Sequence, residues 1–192
     1  MSASDSAAAA APPRPPSIVI EPPTIDDGVE LWRMARDSRV LDLNSRYSYL
    51  LWCRDFAATS VIARLGPERV PAGFITGYRR PDEPGTLLVW QVAVDAAARG
   101  QGLAGRMLDA LWAQVDGVDH METTVTPDNE ASIAMFAGFA QRHDAHVDVA
   151  ELFSGAQLSA GEPDDDGSDH EPEHQPENRY RIGPIKATAR TS

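Results

Sequence analysis

Residues Thr86 to Gly105, TLLVWQVAVDAAARGQGLAG, change character at their midpoint, and that change decides the fold. Thr86 to Val94 is apolar almost throughout, which predicts a central strand covered on both faces, with Gln91 its one strongly polar member. From Gly102 to Val115 the apolar residues Leu103, Met107, Leu108, Leu111 and Val115 recur at helical spacing. The junction holds Gly100, Gly102 and Gly105, three glycines within six residues. Such a turn lets the backbone bend tightly and approach a ligand, while the following helix aims its first free N–H groups outward. Strand, glycine turn and helix together predict an anion cradle suited to a pyrophosphate, with Arg99 adding a charge-assisted contact. A tight turn without a ligand is the alternative.

Two familiar phosphate-binding patterns do not fit. The Walker form needs Gly-Lys-Ser/Thr, and the chain's one lysine is Lys186. Gly100-x-Gly102-x-x-Gly105 has dinucleotide-fold spacing, but it follows a meander in mid-chain and does not open a βαβ series.

Upstream, Ile18-Val19-Ile20 reads as a first strand closed by Pro22-Pro23. Helices are predicted from Thr24–Asp27 onward, capped by Thr24 or Asp26, and from about Ser45 to Phe56 with Tyr47, Leu50, Leu51 and Trp52 on its apolar face. Ser60 to Leu65 and Ala72 to Tyr78 are strand-like runs that form a hairpin or meander. Downstream, Met121 to Thr126 is a strand, a helix starts at Pro127-Asp128-Asn129 and runs to about Gly138, and Val147 to Phe153 and Asn178 to Ile182 are closing strands. The architecture is α/β, a mixed central sheet flanked by helices.

The chain has 192 residues and a net charge of −12, distributed as −5 over residues 1–142, −11 over 143–178 and +4 over 179–192. With 42% hydrophobic and 24% charged residues it reads as one globular domain, over residues 18–184. Residues 1–17, rich in Ala and Pro, read as a disordered arm and not a signal peptide; residues 185–192 read as a flexible tail, and about 155–168 as an acidic mobile loop. A pI near 4.7 and the lack of a basic face argue against nucleic acid, and no apolar run approaches the ~20 residues of a membrane span. Cys53, alone among apolar neighbours, is expected to be a buried inert thiol, and a cytoplasmic location is expected.

Arg99-x-x-Gly102-x-Ala104, after a long apolar strand and opening an amphipathic helix, resembles the acetyl-CoA signature of the GNAT N-acetyltransferase superfamily, and the order of elements agrees. Within it, Leu41 to Leu51 (LDLNSRYSYLL), Val89 to Val94, Thr126 to Ser132 and His170-Glu171-Pro172-Glu173 resemble the L-2,4-diaminobutyrate acetyltransferases of ectoine biosynthesis. The resemblance covers about residues 18–184.

The resemblance implies the GNAT fold, acetyl-CoA as co-substrate, L-2,4-diaminobutyrate as acceptor at its 4-amino nitrogen, and a homodimer. Cofactor contacts are then expected from Val92, Ala93 and Val94, from Arg99, Gly100, Gln101, Gly102, Leu103, Ala104 and Gly105, and from Asn129 and Phe136. An alkylammonium with a pKa of about 10.4 must lose a proton before attack, so a base or a water chain is required. Asp42 and Glu173 are candidates to hold or deprotonate the amines, His170 to serve as base or hydrogen-bond partner, and Trp90 to form an aromatic wall for a cation. Alternatively Asp42 caps a helix, and Trp90 and Tyr47 are packing residues. Many GNATs carry a proton-donating tyrosine seven residues after the Asn of the last helix; here that position is Phe136, so Tyr47 is the candidate donor to the thiolate, with unassisted departure as the alternative. Another small amine, such as a polyamine or an aminoglycoside, and a non-catalytic CoA-binding module are the rival readings.

Two metal-like patterns in the acidic segment are set aside, and no metal is expected. His170-Glu171-Pro172-Glu173-His174 matches HExxH, but that site needs a helix and Pro172 opposes one. Glu162 to Glu173 only partly matches a calcium loop, with Asp169 where an apolar residue belongs.

Overall fold

The computed structural model describes residues 17–159 and 174–186. Seven strands form one sheet: β1 (Ile18–Glu21), β2 (Val61–Leu65), β3 (Val70–Arg79), β4 (Thr86–Val94), β5 (His120–Val125), β6 (Val147–Phe153) and β7 (Glu177–Ile182). Their spatial order is β1-β2-β3-β4-β5-β7-β6, so the last strand inserts between β5 and β6. All neighbours are antiparallel except β4 and β5, which makes the sheet mixed.

The helices α1 (Gly28–Ser38) and α2 (Arg46–Asp55) cover one face and α3 (Leu103–Gln114) and α4 (Glu130–Arg142) the other; a short α5 (Gly155–Ser159) follows β6. The α3/α4 face encloses the larger core, with Leu87, Val89, Met107, Leu108, Leu111, Met121 and Phe139. The α1/α2 face encloses Leu31, Met34, Tyr49, Cys53, Ile62, Phe74 and Ala93. Each fully buried large apolar side chain contributes roughly 1.5–3 kcal/mol, so the two cores hold the helices against the sheet from both sides. Cys53 is buried, and burial pushes its thiol up to about 12.

Some expectations shift. A single 3-10 turn (Ile25–Asp27) precedes α1, and the Asp27 carboxylate, not Asp26, takes the Thr24 N–H (2.8 Å) and hydroxyl (3.0 Å). Helix α4 runs past Gly138 to Arg142, because one interior glycine costs only about 1 kcal/mol against helical packing. The segment expected to be mobile from residue 155 begins with α5, and Ile185, assigned to a flexible tail, is buried in the larger core with its N–H on the Asp119 carbonyl at 2.8 Å. The arm at 1–16, the acidic residues 160–173 and the tail 187–192 lie outside the described residues.

The feature that creates a site is the splay of β4 from β5. They pair only at Thr86–His120, Leu87–Met121 and Leu88–Glu122, and diverge beyond. On its other edge β4 carries a bulge: Thr76 pairs with Gln91 and Gly77 with Val89, leaving Trp90 as the extra residue. A bulge bends its strand and shifts its alternation by one residue. Thus Val89 faces the α3/α4 core, whereas Ala93, of the same parity, faces the α1/α2 core.

Candidate active site

The splay leaves the end of β4 without a strand partner on the β5 side. The Asp95 N–H donates to the Ala72 carbonyl on β3 at 2.8 Å, so by strand alternation the peptide groups of Val94 and Val92 point the other way, into the cleft. Arg99 Nε donates to the Val94 carbonyl at 3.2 Å, which folds the Arg99 side chain back along the strand end. The Val94 N–H is therefore a fixed donor aimed into the opening.

A cavity of about 830 Å³ opens there. Val92, Ala93, Val94, Arg99 and Ala104 line one wall, Thr126, Asp128, Met135 and the residues of 129–132 the opposite wall, and Ser38, Val40 and Leu41 a third side. Gly100 (φ 75°) and Gly102 (φ 67°) both adopt left-handed backbone, and Gly102 is the residue before α3. A Cβ at either position would meet nothing within 4 Å, so the space above the turn is free for a ligand. Gly105 serves differently. Its missing Cβ would lie 3.5 Å from Arg142 Nη2, which places it against the end of α4. Leu103 is buried in the core, so only its backbone is available to the cleft, and Gln101 is exposed with its amide on the Ala97 carbonyl at 3.4 Å. Asn129 accepts the Ser132 N–H at 3.1 Å, capping α4, and also borders the cavity. The first turns of two helices, α3 and α4, thus flank one cleft and give it the positive end of both helix dipoles.

A second cavity of about 530 Å³ shares Val40, Leu41, Val92, Thr126, Asn129 and Ser132 with the first, and the two join through the splay. Its own walls bring in Asp42, Asn44, Trp90, Gln91, Thr123, Thr124, Phe136, Leu158, His174 and Glu177. Among the described residues no Lys or Arg lines it. Burial pushes the Glu177 carboxyl above the ordinary range; a Thr124 hydrogen bond opposes this, and the nearby Asp42 charge adds to it. Glu177 Oε2 is buried and has no hydrogen-bond partner among the described residues. Two carboxylates, one of them half-buried with one oxygen lacking a donor, give this half of the cleft a chemistry suited to cations.

The residues singled out in the sequence divide accordingly. Asp42, Trp90 and Phe136 line the second cavity. Trp90 is not core: the bulge turns it outward, 39% exposed, with its ring 4.4 Å from Trp52. Phe136, 2% exposed, has no proton to offer. Tyr47 stands apart from these. It is 68% exposed and borders neither cavity, because it lies two residues, or about 200°, around α2 from the tyrosine that is buried, Tyr49. Tyr49 donates to Gln91 Oε1 at 2.9 Å, and Gln91 Nε2 donates to the Asp42 carbonyl at 2.9 Å. Burial pushes the Tyr49 hydroxyl up, against hydrogen bonds with Asn44 and Gln91.

His170 and Glu173 lie outside the described residues. Among the described residues, His174 and Glu177, at and just before the start of β7, line the cavity. The signal was in the sequence: residues 170–177, HEPEHQPE, repeat H-x-P-E in tandem, and it is the second copy that leads directly into a strand beside the cleft. Among the described residues no group of three or more His, Cys, Asp or Glu is disposed to hold a metal ion, and no helix is long and apolar enough to cross a membrane.

Comparison with known proteins agrees with this geometry. Residues 26–139 match the model of the acetyltransferase (GNAT) family. The chain is 53% identical over 169 residues to an L-2,4-diaminobutyric acid acetyltransferase of Streptomyces anulatus, covering 86% of this chain and 89% of that protein. It is 42% identical over 171 residues to the enzyme of that name from Marinococcus halophilus, covering 88% and 91%. Among solved structures, the diaminobutyrate acetyltransferase of Paenibacillus lautus, in complex with its substrate L-2,4-diaminobutyric acid and coenzyme A, superimposes with a TM-score of 0.76 at 36% identity, over 90% of this chain and 98% of that one. A splayed GNAT cleft and relatives of this identity lead to one conclusion: the chain belongs to the acetyltransferase (GNAT) family and, within it, to the L-2,4-diaminobutyric acid acetyltransferases.

Proposed function

We propose that this protein transfers the acetyl group of acetyl-CoA to the 4-amino nitrogen of L-2,4-diaminobutyrate. The observation that carries the proposal is one continuous cleft that joins a helix-flanked cradle, bordered by Arg99 and Ala104 on either side of the glycine turn, to a pocket with two carboxylates and, among the described residues, no lining Lys or Arg. Anionic phosphates suit the first half and a diamine suits the second.

The chemistry follows from the positions. Amides at Gly100 to Gly102 and the first turn of α3 hold the pyrophosphate, with Arg99 at the rim. The pantetheine arm runs between Val92–Val94 and Asn129, which brings the thioester to the splay. The Val94 N–H stabilises the oxyanion that develops on the acetyl carbonyl. Asp42 and Glu177 hold the two ammonium groups, with the Trp90 ring as a wall. Glu177, with its carboxyl raised by burial and one oxygen without a partner among the described residues, accepts the proton from the 4-ammonium directly or through water. The freed amine attacks the thioester carbon, the C–N bond forms, the C–S bond breaks as the tetrahedral adduct collapses, and the second amine proton passes to water or to the departed thiolate. The thiolate leaves without help from Tyr47 or Phe136, as a thiol pKa of about 8.5 permits. In this assignment Glu177 and His174 take the places that the sequence suggested for Glu173 and His170.

The family resemblance extends the reading to a homodimeric cytoplasmic enzyme that supplies ectoine synthesis under osmotic stress; light scattering of the purified protein tests the dimer. The central test is incubation with acetyl-CoA and L-2,4-diaminobutyrate, with the product identified by mass spectrometry and NMR. Acetylation at N4 is expected. A preference for a polyamine or an aminoglycoside, or acetylation at the 2-amino group, defeats the proposal.

A further inference from the structure

Gln91 is 4% exposed in an otherwise apolar strand, a costly place for an amide unless both of its ends are paired. Both are. Its Nε2 donates to the Asp42 carbonyl and its Oε1 accepts from Tyr49 Oη, each at 2.9 Å, while its backbone N–H donates to Thr76 Oγ1 at 3.2 Å. The orientation is unique. A carbonyl only accepts, so the amide must turn its NH₂ toward Asp42 and its oxygen toward Tyr49.

The bulge at Trp90 is what brings Gln91 to this side. With unbroken alternation Gln91 would join Leu87 and Val89 in the α3/α4 core; the extra residue turns it to the α1/α2 face, where Ala93 also packs. There it meets residues 40–45, which have no helix or strand hydrogen-bonding of their own. Ser38 Oγ bonds the Val40 and Leu41 amides at the near end of this loop, and Ser45 caps α2 at the far end. Asp42 sits between these anchors, and its tie to the sheet is Gln91.

We infer that Gln91 is a positioning residue for amine recognition: its side-chain amide, oriented by Tyr49, fixes the backbone at Asp42 and so sets where the Asp42 carboxylate stands across the cavity from Glu177. This deepens the proposed function and rests on the assignment of Asp42 to the amine. A diamine spans a fixed distance between its two charges, so a receptor carboxylate on an untied loop loses selectivity for it and not only strength.

The test uses the full chain with Gln91→Met, which keeps the length and removes both hydrogen bonds, and Tyr49→Phe, which removes only the orienting hydroxyl. The KM for diaminobutyrate is expected to rise about tenfold in Q91M and about threefold in Y49F, with the acetyl-CoA KM within twofold of wild type in both. A double-mutant cycle with Asp42→Asn supplies a readout that a purely structural role would not move: in the D42N background Q91M is expected to add less than twofold, since the carboxylate it positions is gone. Q91M and Y49F with unchanged diaminobutyrate KM, or full additivity of Q91M with D42N, overturns the inference. A wild-type enzyme that does not use diaminobutyrate defeats the functional proposal instead, so the two failures are distinguishable.

Discussion

The two halves of the cleft are built on different principles. One wall of the cradle half comes from a single short stretch, the strand end, the glycine turn and the first turn of α3 within Val92 to Gly105, and the first turn of α4 faces it across the cleft. The amine half is assembled from distant pieces: Asp42 from a loop, Trp90 and Gln91 from a bulge, Thr124 from β5, Leu158 from α5 and Glu177 from the start of β7. Backbone amides at fixed spacing suit a ligand common to many enzymes, whereas side chains on independently varied segments suit a ligand particular to one. The difference predicts that the halves fail separately, and mutation can break or sharpen that separation.

The largest effect is expected at Glu177. Glu177→Gln should lower kcat/KM for diaminobutyrate by about 10²-fold or more, the range of a lost general base, with the acetyl-CoA dissociation constant unchanged by calorimetry. Because the Glu177 carboxyl is raised, the folded state holds its proton more tightly than the unfolded state does, so ionisation opposes folding above that pKa. E177Q should accordingly melt no lower than wild type at neutral pH. The acid limb of wild-type turnover should begin above the ordinary carboxylate range and be missing from the variant. A cofactor affinity that falls along with turnover would break the separation.

Gly102→Val is the reciprocal change. A β-branched residue at φ 67° costs about 1–2 kcal/mol and crowds the amide cradle, so the acetyl-CoA KM should rise about thirtyfold while the diaminobutyrate KM stays put. Gly105→Ala sharpens this: its Cβ meets Arg142 at an ordinary 3.5 Å, and less than a threefold change is expected by the same steady-state assay. Asp42→Asn should raise the diaminobutyrate KM about tenfold, the value of a charge-assisted hydrogen bond to the ammonium. The smallest effect belongs to the shared border. Asn129→Ala loses a cap worth about 1 kcal/mol, which calorimetry should record as a Tm about 2–4 °C lower.

Legibility followed the same division. The glycine turn, its strand and its helix were readable because their meaning is local: positive φ, apolar runs and helical period need no partner. The amine half was read only in part. Asp42 and Trp90 are singled out by the sequence and both line the cavity, whereas the sequence does not tell that Tyr47 is exposed and Tyr49 buried, since which face of α2 turns inward depends on the loop and sheet beneath it. The H-x-P-E repeat offers two copies of one pattern that composition does not distinguish; the second is placed beside the cleft by the pairing of Glu177 with Phe153 on β6, and the first lies outside the described residues. Ile185 likewise read as tail because a single apolar residue after Pro184 carries no period, yet its N–H closes onto Asp119 and its side chain enters the core.

By itself the sequence determined the α/β class, the order of elements and the strand, glycine turn and helix of the cradle, because these are encoded by neighbours along the chain; that Phe136 stands where many GNATs place a tyrosine came from the family resemblance. Only the tertiary structure decided where β4 parts from β5, that one bulged residue turns Gln91 from one core to the other face, and that Asp42 and Glu177, far apart in sequence, share one pocket. Register, strand insertion and burial are set by long-range pairing, and the electrostatics of a buried carboxylate depend on which distant groups that pairing brings beside it.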